Sequence, residues 1–389
     1  MSGYTDGTAI AGIGATTFSK DSGRSELHLA VEAITGAMSD AGLPVDSIDG
    51  LVTFDMDNND QTQVCSALGL GDITFFSTSP FGGGGACMIV QQAAMAVHAG
   101  LADTIVCYRA FNERSGNRFG QYVAPPAHPS AAEVRWSWHG AHGLITPAGL
   151  VAMSARRYMH EYGATSEDFG RIAVIERANA ATNPAAWFYQ QPITLEEHQA
   201  SRWIAEPLRL LDCCQESDGG VALVVTSLER ARDLQHKPVM VRAAAQGMSS
   251  GQQVMSSFYR SAISGLPEMG LVGRQLWEQS GLAPSDIQAL ILYDHFTPFV
   301  LSQLEALGFC SEGEAKELVR SGALALDGKW PLNPHGGLLG EAYIHGVNGI
   351  LEAVRQIRGN AVNQVADIDH VLVTAGTGVP TSGLILGVA

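Results

Sequence analysis

The sequence predicts an α/β protein built from two similar halves. Three observations predict it. Apolar runs of strand length alternate with segments of helix length, as expected for a parallel sheet flanked by helices. A stretch near residue 42 recurs without a gap near residue 281. Hydrophobic residues make up 46% of the 389 residues and charged residues only 16%, which suits a large buried core.

The first half shows the strand and helix pattern in its simplest form. Residues 25–41 are amphipathic and predict a helix that ends before Gly42, a residue type favoured just after a helix. Residues 48–54 and 103–108 predict strands. Residues 221–227, VALVVTS, are almost wholly apolar and predict a strand buried on both faces.

An internal repeat relates the two halves. GLPVDSIDGLVTFD at 42–55 matches GLAPSDIQALILYD at 281–294, and the final aspartates coincide. After each copy come a glycine-rich loop (FGGGGACM or NPHGGLLG), a helix-length segment (85–99 or 346–358) and a strand (DTIVCY or HVLVTAG). Each half then closes on an apolar strand, VALVVTS or TSGLILGVA. We therefore predict an N-terminal half at 1–235 and a C-terminal half at 236–389.

A long insertion at about 111–211 interrupts the first half. It begins with a segment rich in proline, glycine, aromatic residues and arginine. Long irregular insertions in compact domains are usually lids or binding loops. Substrate cover, oligomer contact and a plain surface loop all stay open at this point.

Charge and composition exclude several classes of function. The net charge of −16 and the lack of a basic stripe argue against a nucleic-acid partner. No apolar run approaches the length of a membrane span, and no secretory signal is evident. We therefore expect no membrane insertion and a cytoplasmic location. The six cysteines form no CxxC pair and are expected to be reduced core thiols.

The segment NPHGGLLGEAYIHG at 333–346 raises three possible functions. A metal site is not expected, because His335, Glu341 and His345 match no zinc-ligand spacing. A phosphate loop is not expected either, since FGGGG lacks the GK[ST] ending and the GxGxxG spacing. The third possibility is that Tyr343 acts as an acid or base. The alternative for Tyr343 is a packed aromatic residue with a satisfied hydroxyl.

Several motifs together resemble the thiolases. DCCQESDGG, LYDHF and GGLLGEAYIHG occupy the places of SDGA, HDCF and NPxGGLxxxGHPxG in the lipid-transfer-type branch of that family. The resemblance covers essentially the whole chain. It implies a thiolase fold, in which two pseudo-symmetric βαβαβ-type halves pack as five layers, αβαβα, with an inserted loop domain. It also implies a homodimer that forms through the edge strand of the first half.

The sequence departs from thiolases where their nucleophile would stand. The position of the catalytic cysteine falls on Gly83 or its neighbour Gly82, and Cys87 lies about one helical turn further on and should face elsewhere. The second cysteine would lie near residues 374–376, where none is present. Chemistry through an acyl-cysteine is therefore not expected. An acyltransferase that uses Cys87 and a non-catalytic acyl-CoA-binding scaffold are the alternatives.

Two tyrosines occupy sequence positions at which thiolases have catalytic residues. Tyr343 takes the place of the GHP histidine, and Tyr293 takes the first position of the HDCF-like segment. These departures are similar to the thiolase-like aldolases of actinobacterial steroid degradation, whose proposed acid and base residues match the two tyrosines. The resemblance implies retro-aldol cleavage of a 17-hydroxy steroid acyl-CoA to a 17-keto steroid and propionyl-CoA. It implies no cofactor, since coenzyme A is part of the substrate, and a partner hydratase subunit with a DUF35-type OB domain.

Retro-aldol chemistry needs a base, an acid and an oxyanion pocket, but no covalent nucleophile. Backbone N–H groups of Gly83 and Gly376, in loops expected to face each other, are candidates for the oxyanion pocket. A tyrosine acts as a base near neutral pH only if a cation or hydrogen bonds favour its phenolate. Candidates for that support are His295, His335 and His345. Substrate-binding residues stay unassigned, with only the arginines at 109, 114 and 118 as candidates for contacts with CoA.

Overall fold

The computed structural model describes residues 4–116, 118, 137–255 and 257–389. The strands are β1 (Thr8–Ala15), β2 (Gly50–Phe54), β3 (Phe75–Ser79), β4 (Ile105–Asn112), β5 (Trp203–Ala205), β6 (Leu208–Arg209), β7 (Asp218–Ser227), β8 (Val239–Gly247), β9 (Ala289–Ile291), β10 (His370–Ala375) and β11 (Thr381–Val388). The helices are α1 (Glu26–Ala41), α2 (Gln61–Leu68), α3 (Ala86–His98), α4 (Pro147–Tyr162), α5 (Ser166–Thr182), α6 (Leu195–Ala200), α7 (Leu228–Ala231), α8 (Pro267–Ser280), α9 (Thr297–Ala306), α10 (Ala315–Arg320), α11 (Gly337–Gly340) and α12 (Val347–Arg358).

One mixed sheet runs through both halves in the order β3-β2-β4-β7-β1-β8-β11-β10-β9. The halves meet where β1 pairs antiparallel with β8. On one side of this junction β2 is parallel to β4, which is antiparallel to β7. On the other side β9 is parallel to β10, which is antiparallel to β11. The two copies of the sequence repeat therefore supply equivalent strands, β2 and β9.

Helices divide the molecule into the five layers that the resemblance implies. Side chains of α3 and α12 share one core with strands from both halves of the sheet, so these two helices form the central layer. Helix α1 covers the outer face of the first half. Helices α8 and α9 pack in the core on the outer face of the second half. The predicted α/β class is confirmed.

Local signals in the sequence set the ends of the elements. The side chain of Ser25 accepts a hydrogen bond from the backbone N–H of His28 at the start of α1, and Gly42 ends the helix with a φ of 70°. Strand β4 continues four residues beyond the predicted end at 108, because its pairing with β7 continues to the Asn112–Asp218 pair. The predicted boundary between residues 235 and 236 falls between α7 and β8.

The insertion forms a cap that packs on the second half. It contributes α4, α5, α6 and the small β5–β6 ladder, while residues 117 and 119–136 lie outside the described part of the chain. A β-carbon on Gly336 or Gly340 would come within 2.6 Å of the β-carbon of Ala180 in α5. Glycine is therefore needed there for the close approach of the insertion to segment 333–346.

All six cysteines are free. In the described ranges, every helix is too short or too polar to cross a membrane.

Candidate active site

A pocket of about 550 Å³ opens between the insertion and the second half. Tyr343 and His295 lie in its wall, together with Cys214. Five cationic side chains also line it: Lys20, Arg114, Arg118, Arg177 and Arg202. The pocket therefore combines a deep wall of proton-carrying side chains with positive charge around it.

The two predicted tyrosines meet at the wall of this pocket. The Tyr293 and Tyr343 hydroxyl oxygens lie 3.0 Å apart. Tyr293 follows β9 and is buried, whereas Tyr343 follows α11 and is partly exposed to the pocket. The Tyr293 backbone is fixed by Thr374 Oγ1, which accepts its N–H at 2.9 Å, and by Gln303 Nε2, which donates to its carbonyl at 2.8 Å. The structure thus brings together two residues that are 50 positions apart in the chain.

The thiolase nucleophile slot is filled by a phenol. Gly82–Gly85 form a 3-10 turn before α3, and a β-carbon on Gly83 would overlap the hydroxyl of Tyr293. Cys87, one turn further on, is fully buried, and its sulfur lies 3.9 Å from the carbonyl oxygen of Val373. Burial raises the pKa of the Cys87 thiol. Cys87 is therefore a core residue, which removes the support for an acyltransferase that uses it.

The two glycine loops face each other, as expected. A β-carbon on Gly376 would lie 2.6 Å from the α-carbon of Gly84. The hydroxyl of Ser382 donates to the carbonyl of Gly84 at 2.6 Å and ties the loops together. The role of the Gly83 and Gly376 N–H groups in binding an oxyanion stays a prediction.

Both phenols are held in their protonated form. Burial raises the pKa of Tyr293 well above its usual value. Burial raises the pKa of Tyr343 likewise, and the negative charges of Tyr293, Cys214 and Glu113 add to the effect when these groups ionise. The surroundings thus favour the phenol, whereas a tyrosine that acts as a base needs its phenolate favoured.

Two of the predicted support histidines adjoin the tyrosines. His295 lies beside Tyr293, with ring centroids 4.9 Å apart, and His345 lies edge-on to Tyr343 at 5.3 Å. Burial lowers the pKa of His295 to about 3. Burial, the charge of Arg109 and that of His295 lower the pKa of His345 well below its usual value. Both rings are therefore neutral at neutral pH and supply no positive charge to the phenols.

The third predicted histidine lies in a different cluster. His335 Nε2 lies 3.9 Å from Glu341 Oε2, behind the pocket wall, where Asn183 and Asn348 also donate to Glu341. His335 is buried in this polar network. The structure therefore places His335 outside the pocket lining, and its Nδ1 has no hydrogen-bond partner among the described residues.

Arg109 is a buried cation next to the site, and its candidacy for contacts with CoA was wrong. It lies in β4 at 1% exposure, forms an ion pair with Asp57, and its Nε donates to Nδ1 of His345 at 3.1 Å. Its guanidinium also stacks on Phe111 at 4.2 Å. Because Arg109 is buried and lies outside the pocket lining, it cannot reach a CoA phosphate, whereas Arg114 and Arg118 do line the pocket.

Sequence reasoning also missed Glu113, a buried acid in the pocket lining. Glu113 follows β4 directly and is 3% exposed. The backbone N–H of Ser217 and the charges of Arg109 and Lys20 lower the pKa of its carboxyl. Burial and the charge of Glu216 raise its pKa to about 8. The available signal was a charged residue directly after an apolar strand, at the sheet edge where α/β proteins place their sites.

Asp294, beside Tyr293, has a structural role. Its carboxylate oxygens accept the backbone N–H groups of Leu338 and Leu339, each at 3.0 Å, at the start of α11. Negative charge is stabilised at the N-terminal end of a helix. Asp294 thereby fixes the turn that leads to Tyr343.

Known proteins share both the sequence and the fold. Residues 250–387 match the family model of thiolase C-terminal domain-like proteins. The steroid side-chain-cleaving aldolase of Thermomonospora curvata is 63% identical over 100% of this chain and 99% of its own length. The 17-hydroxy-3-oxo-4-pregnene-20-carboxyl-CoA lyase of Mycobacterium tuberculosis is 63% identical over 97% of this chain and 98% of its own.

A solved structure matches in the same way. The structure of the Ltp2-ChsH2(DUF35) aldolase superposes with a TM-score of 0.95 and 62% identity, covering 99% of this chain and 98% of that chain. Identity at this level over full length establishes a common family. The chain belongs to the thiolase superfamily, within its family of steroid side-chain-cleaving aldolases.

Proposed function

We propose that this carbon–carbon lyase cleaves the side chain of a 17-hydroxy steroid acyl-CoA by retro-aldol chemistry and releases a 17-keto steroid and propionyl-CoA. The names of the two 63% identical relatives, an aldolase and a CoA lyase, support this substrate class. The observation that carries the proposal is the hydrogen bond between Tyr343, in the pocket lining, and the buried Tyr293.

The chemistry requires a proton to move from oxygen to carbon. The bond between the hydroxyl-bearing carbon and the carbon next to the thioester breaks, and its electron pair forms a thioester enolate. The hydroxyl loses its proton and becomes the ketone, while the enolate carbon gains a proton. A protonated phenol that faces the pocket can give that proton, and the 3.0 Å hydrogen bond allows Tyr293 to resupply Tyr343.

The absence of a cysteine at position 83 is compatible with this reaction. A retro-aldol cleavage forms no acyl-enzyme, so the phenol of Tyr293 can fill the space at Gly83 without loss of a required group. The reaction as proposed uses no metal or other cofactor, and coenzyme A enters as part of the substrate. Arg114, Arg118, Arg177 and Arg202 around the pocket suit the CoA phosphates.

We also propose two protein partners. One is a second copy of this chain, which would pair through β3, the edge strand of the first half. The other is a subunit with a DUF35-type OB domain, since a DUF35 component is named in the aldolase structure that this chain matches. Both partnerships rest on likeness to relatives.

The test is product analysis by mass spectrometry after incubation with a 17-hydroxy steroid acyl-CoA, with and without the OB-domain partner. We expect the 17-keto steroid and propionyl-CoA in equal amounts. Tyr343→Phe should lower turnover by about 10²- to 10⁴-fold, the usual size of a general acid–base contribution. The matched control is Tyr162→Phe, which removes a hydroxyl that contacts Glu312 away from the pocket. Near-full turnover in Tyr343→Phe, or no ketone release with the partner present, would refute the proposal.

A further inference from the structure

The retro-aldol reaction requires a group that takes the hydroxyl proton, and neither the two predicted catalytic tyrosines nor the two histidines beside them supply one. Both phenols are held protonated. His295 is a weak base because burial lowers its pKa to about 3. His345 accepts from Arg109 at Nδ1, so its neutral ring carries the proton on Nε2 and cannot accept there.

Glu113 has the geometry of the missing acceptor. Glu113 belongs to the lining of the same pocket as Tyr343 and His295. The backbone N–H of Ser217 favours the ionised form of this carboxyl, and Oε2 has no hydrogen-bond partner among the described residues. A buried oxygen without a partner at a pocket wall is suited to bind a hydroxyl of the occupant, since an unsatisfied buried acceptor costs about 1–3 kcal/mol.

Ser217 positions Glu113 relative to the tyrosine pair. Its backbone N–H lowers the pKa of the Glu113 carboxyl, and its hydroxyl accepts the backbone N–H of Tyr343 at 3.1 Å. Asp218, the next residue, accepts the N–H groups of Arg114 and Ser115 at 2.8 and 3.1 Å and fixes the turn that carries Glu113. The consecutive residues Ser217 and Asp218 thus fix the backbone of the phenol and the turn that carries the acid.

We propose that Glu113 is a further catalytic residue, whose carboxylate takes the proton from the substrate hydroxyl as the carbon–carbon bond breaks. This inference rests on the proposed function. The hydroxyl O–H bond breaks towards Glu113, the bonding electron pair of the cleaved carbon–carbon bond becomes the enolate, and the tyrosine pair protonates the enolate carbon. The proton on Glu113 then returns to the resulting phenolate, so each turnover restores both groups without an oxidant or reductant.

The charged groups around Glu113 set the pKa of its carboxyl. Burial and Glu216 raise its pKa, while Arg109 and Lys20 lower it, with a net value of about 8. Tyr293, Tyr343 and Cys214 also interact electrostatically with it. Glu216, the other acid in the pocket lining, is engaged by Arg118, whose Nε donates to it at 2.7 Å. A carboxylate with a pKa near the working pH is a far better proton acceptor than an ordinary one.

The experiment is the pH dependence of kcat/KM for the wild-type enzyme and for Glu113→Gln, assayed with the OB-domain partner and a 17-hydroxy steroid acyl-CoA. A base must be deprotonated to act, so wild-type activity should rise with pH through about 8 and then level off. Glu113→Gln should lower kcat by about 100-fold or more, change KM by less than about threefold, and lose the rise. Glu113→Asp should keep part of the activity and show the rise at a shifted pH.

The matched control is Glu352→Gln, which neutralises another buried carboxylate, bonded to Gln356 in α12 and outside the pocket lining. It should retain wild-type kcat within about twofold. If Glu113→Gln keeps kcat within about threefold, or keeps the rise near pH 8, Glu113 is not the base. Should that variant fail to fold, a wild-type profile without the rise overturns the inference equally. If the wild-type enzyme releases no ketone, it is the proposed function that fails.

Discussion

The phenol of Tyr293 occupies the space that a side chain on Gly83 would need. A cysteine at position 83 and a tyrosine at position 293 therefore exclude each other in this fold. The exchange explains why the glycine loop lacks a nucleophile. It also places the Tyr293 hydroxyl 3.0 Å from the hydroxyl of Tyr343, which lines the pocket.

Restoring a side chain at position 83 should therefore reduce the aldolase activity. Gly83→Ala and Gly83→Cys would displace Tyr293 and weaken its contact with Tyr343, and we expect kcat to fall by about 100-fold, since small misplacements of catalytic groups have effects of that size. Gly83→Cys should show no thiolase activity. Gly71→Ala is the control, because no heavy atom lies within 4 Å of its added β-carbon. Unchanged kcat in Gly83→Ala would contradict this arrangement.

The two tyrosines should behave as one functional unit. Tyr293→Phe, Tyr343→Phe and the double variant should all lose similar amounts of kcat, because breaking either side of the pair stops the same proton transfer. Steady-state kinetics of the three variants measure this directly. Losses that add in the double variant would mean that the hydroxyls act independently.

Removal of the buried cation should destabilise the protein. Arg109→Met leaves the Asp57 carboxylate buried without its ion-pair partner, which should lower the free energy of unfolding by about 3–5 kcal/mol. Adding Asp57→Asn should recover part of that loss because it removes the orphaned charge. Arg156→Met breaks an exposed ion pair with Glu206 and should cost only about 0–1 kcal/mol. Urea denaturation of the four proteins provides the comparison.

The buried neutral histidine should make stability depend on pH. The pKa of His295 falls from 6.5 to about 3 on folding, so the unfolded chain binds an extra proton between these values. The contribution of neutral His295 to the free energy of unfolding is fully present above pH 6.5 and is lost as the pH drops towards 3. Between pH 7.5 and 5.8 the contribution of His295 is about 1 kcal/mol. Urea melts should therefore show that the free energies of unfolding of wild type and His295→Asn differ by that amount less at pH 5.8 than at pH 7.5. A constant difference would show that His295 becomes charged in the folded protein.

A charge on the edge strand should weaken the proposed homodimer. Phe76 in β3 is 70% exposed, at one end of the nine-stranded sheet. Phe76→Asp places an unpaired charge where a second β3 would pack, and sedimentation should show a shift towards monomer. Val362→Asp is the control, since Val362 is 58% exposed in the loop after α12. If Phe76→Asp sediments as wild type does, β3 is not the dimer contact.

The architecture could be predicted because it is repeated along the chain. The match between residues 42–55 and 281–294 placed β2 and β9 in equivalent positions of the sheet. The tyrosine pair was predictable because Tyr293 and Tyr343 stand in motif positions with known thiolase counterparts. Their contact required the structure, which adds that burial favours the phenol over the phenolate.

The remaining site residues could not be predicted because their partners are distant in the chain and follow no spacing pattern. Arg109 meets His345 across 236 residues, and Glu113 meets Ser217 across the β4–β7 pairing. The apolar pattern predicts that β4 is a buried strand. Arg109 departs from that pattern, but the sequence does not indicate which residue it contacts. The exposure of Glu113 likewise depends on how the insertion folds over the pocket.

Ser217 has a consequence for how activity appears during folding. Ser217 belongs to the first half, yet its hydroxyl accepts a hydrogen bond from the backbone N–H of Tyr343 in the second half. Glu113 and Tyr343 therefore come into register only when the halves have docked. On refolding, recovery of activity should coincide with the last step of assembly, and neither half expressed alone should be a catalyst. Because of this hydrogen bond, we expect enzymatic activity only after both halves have folded and docked.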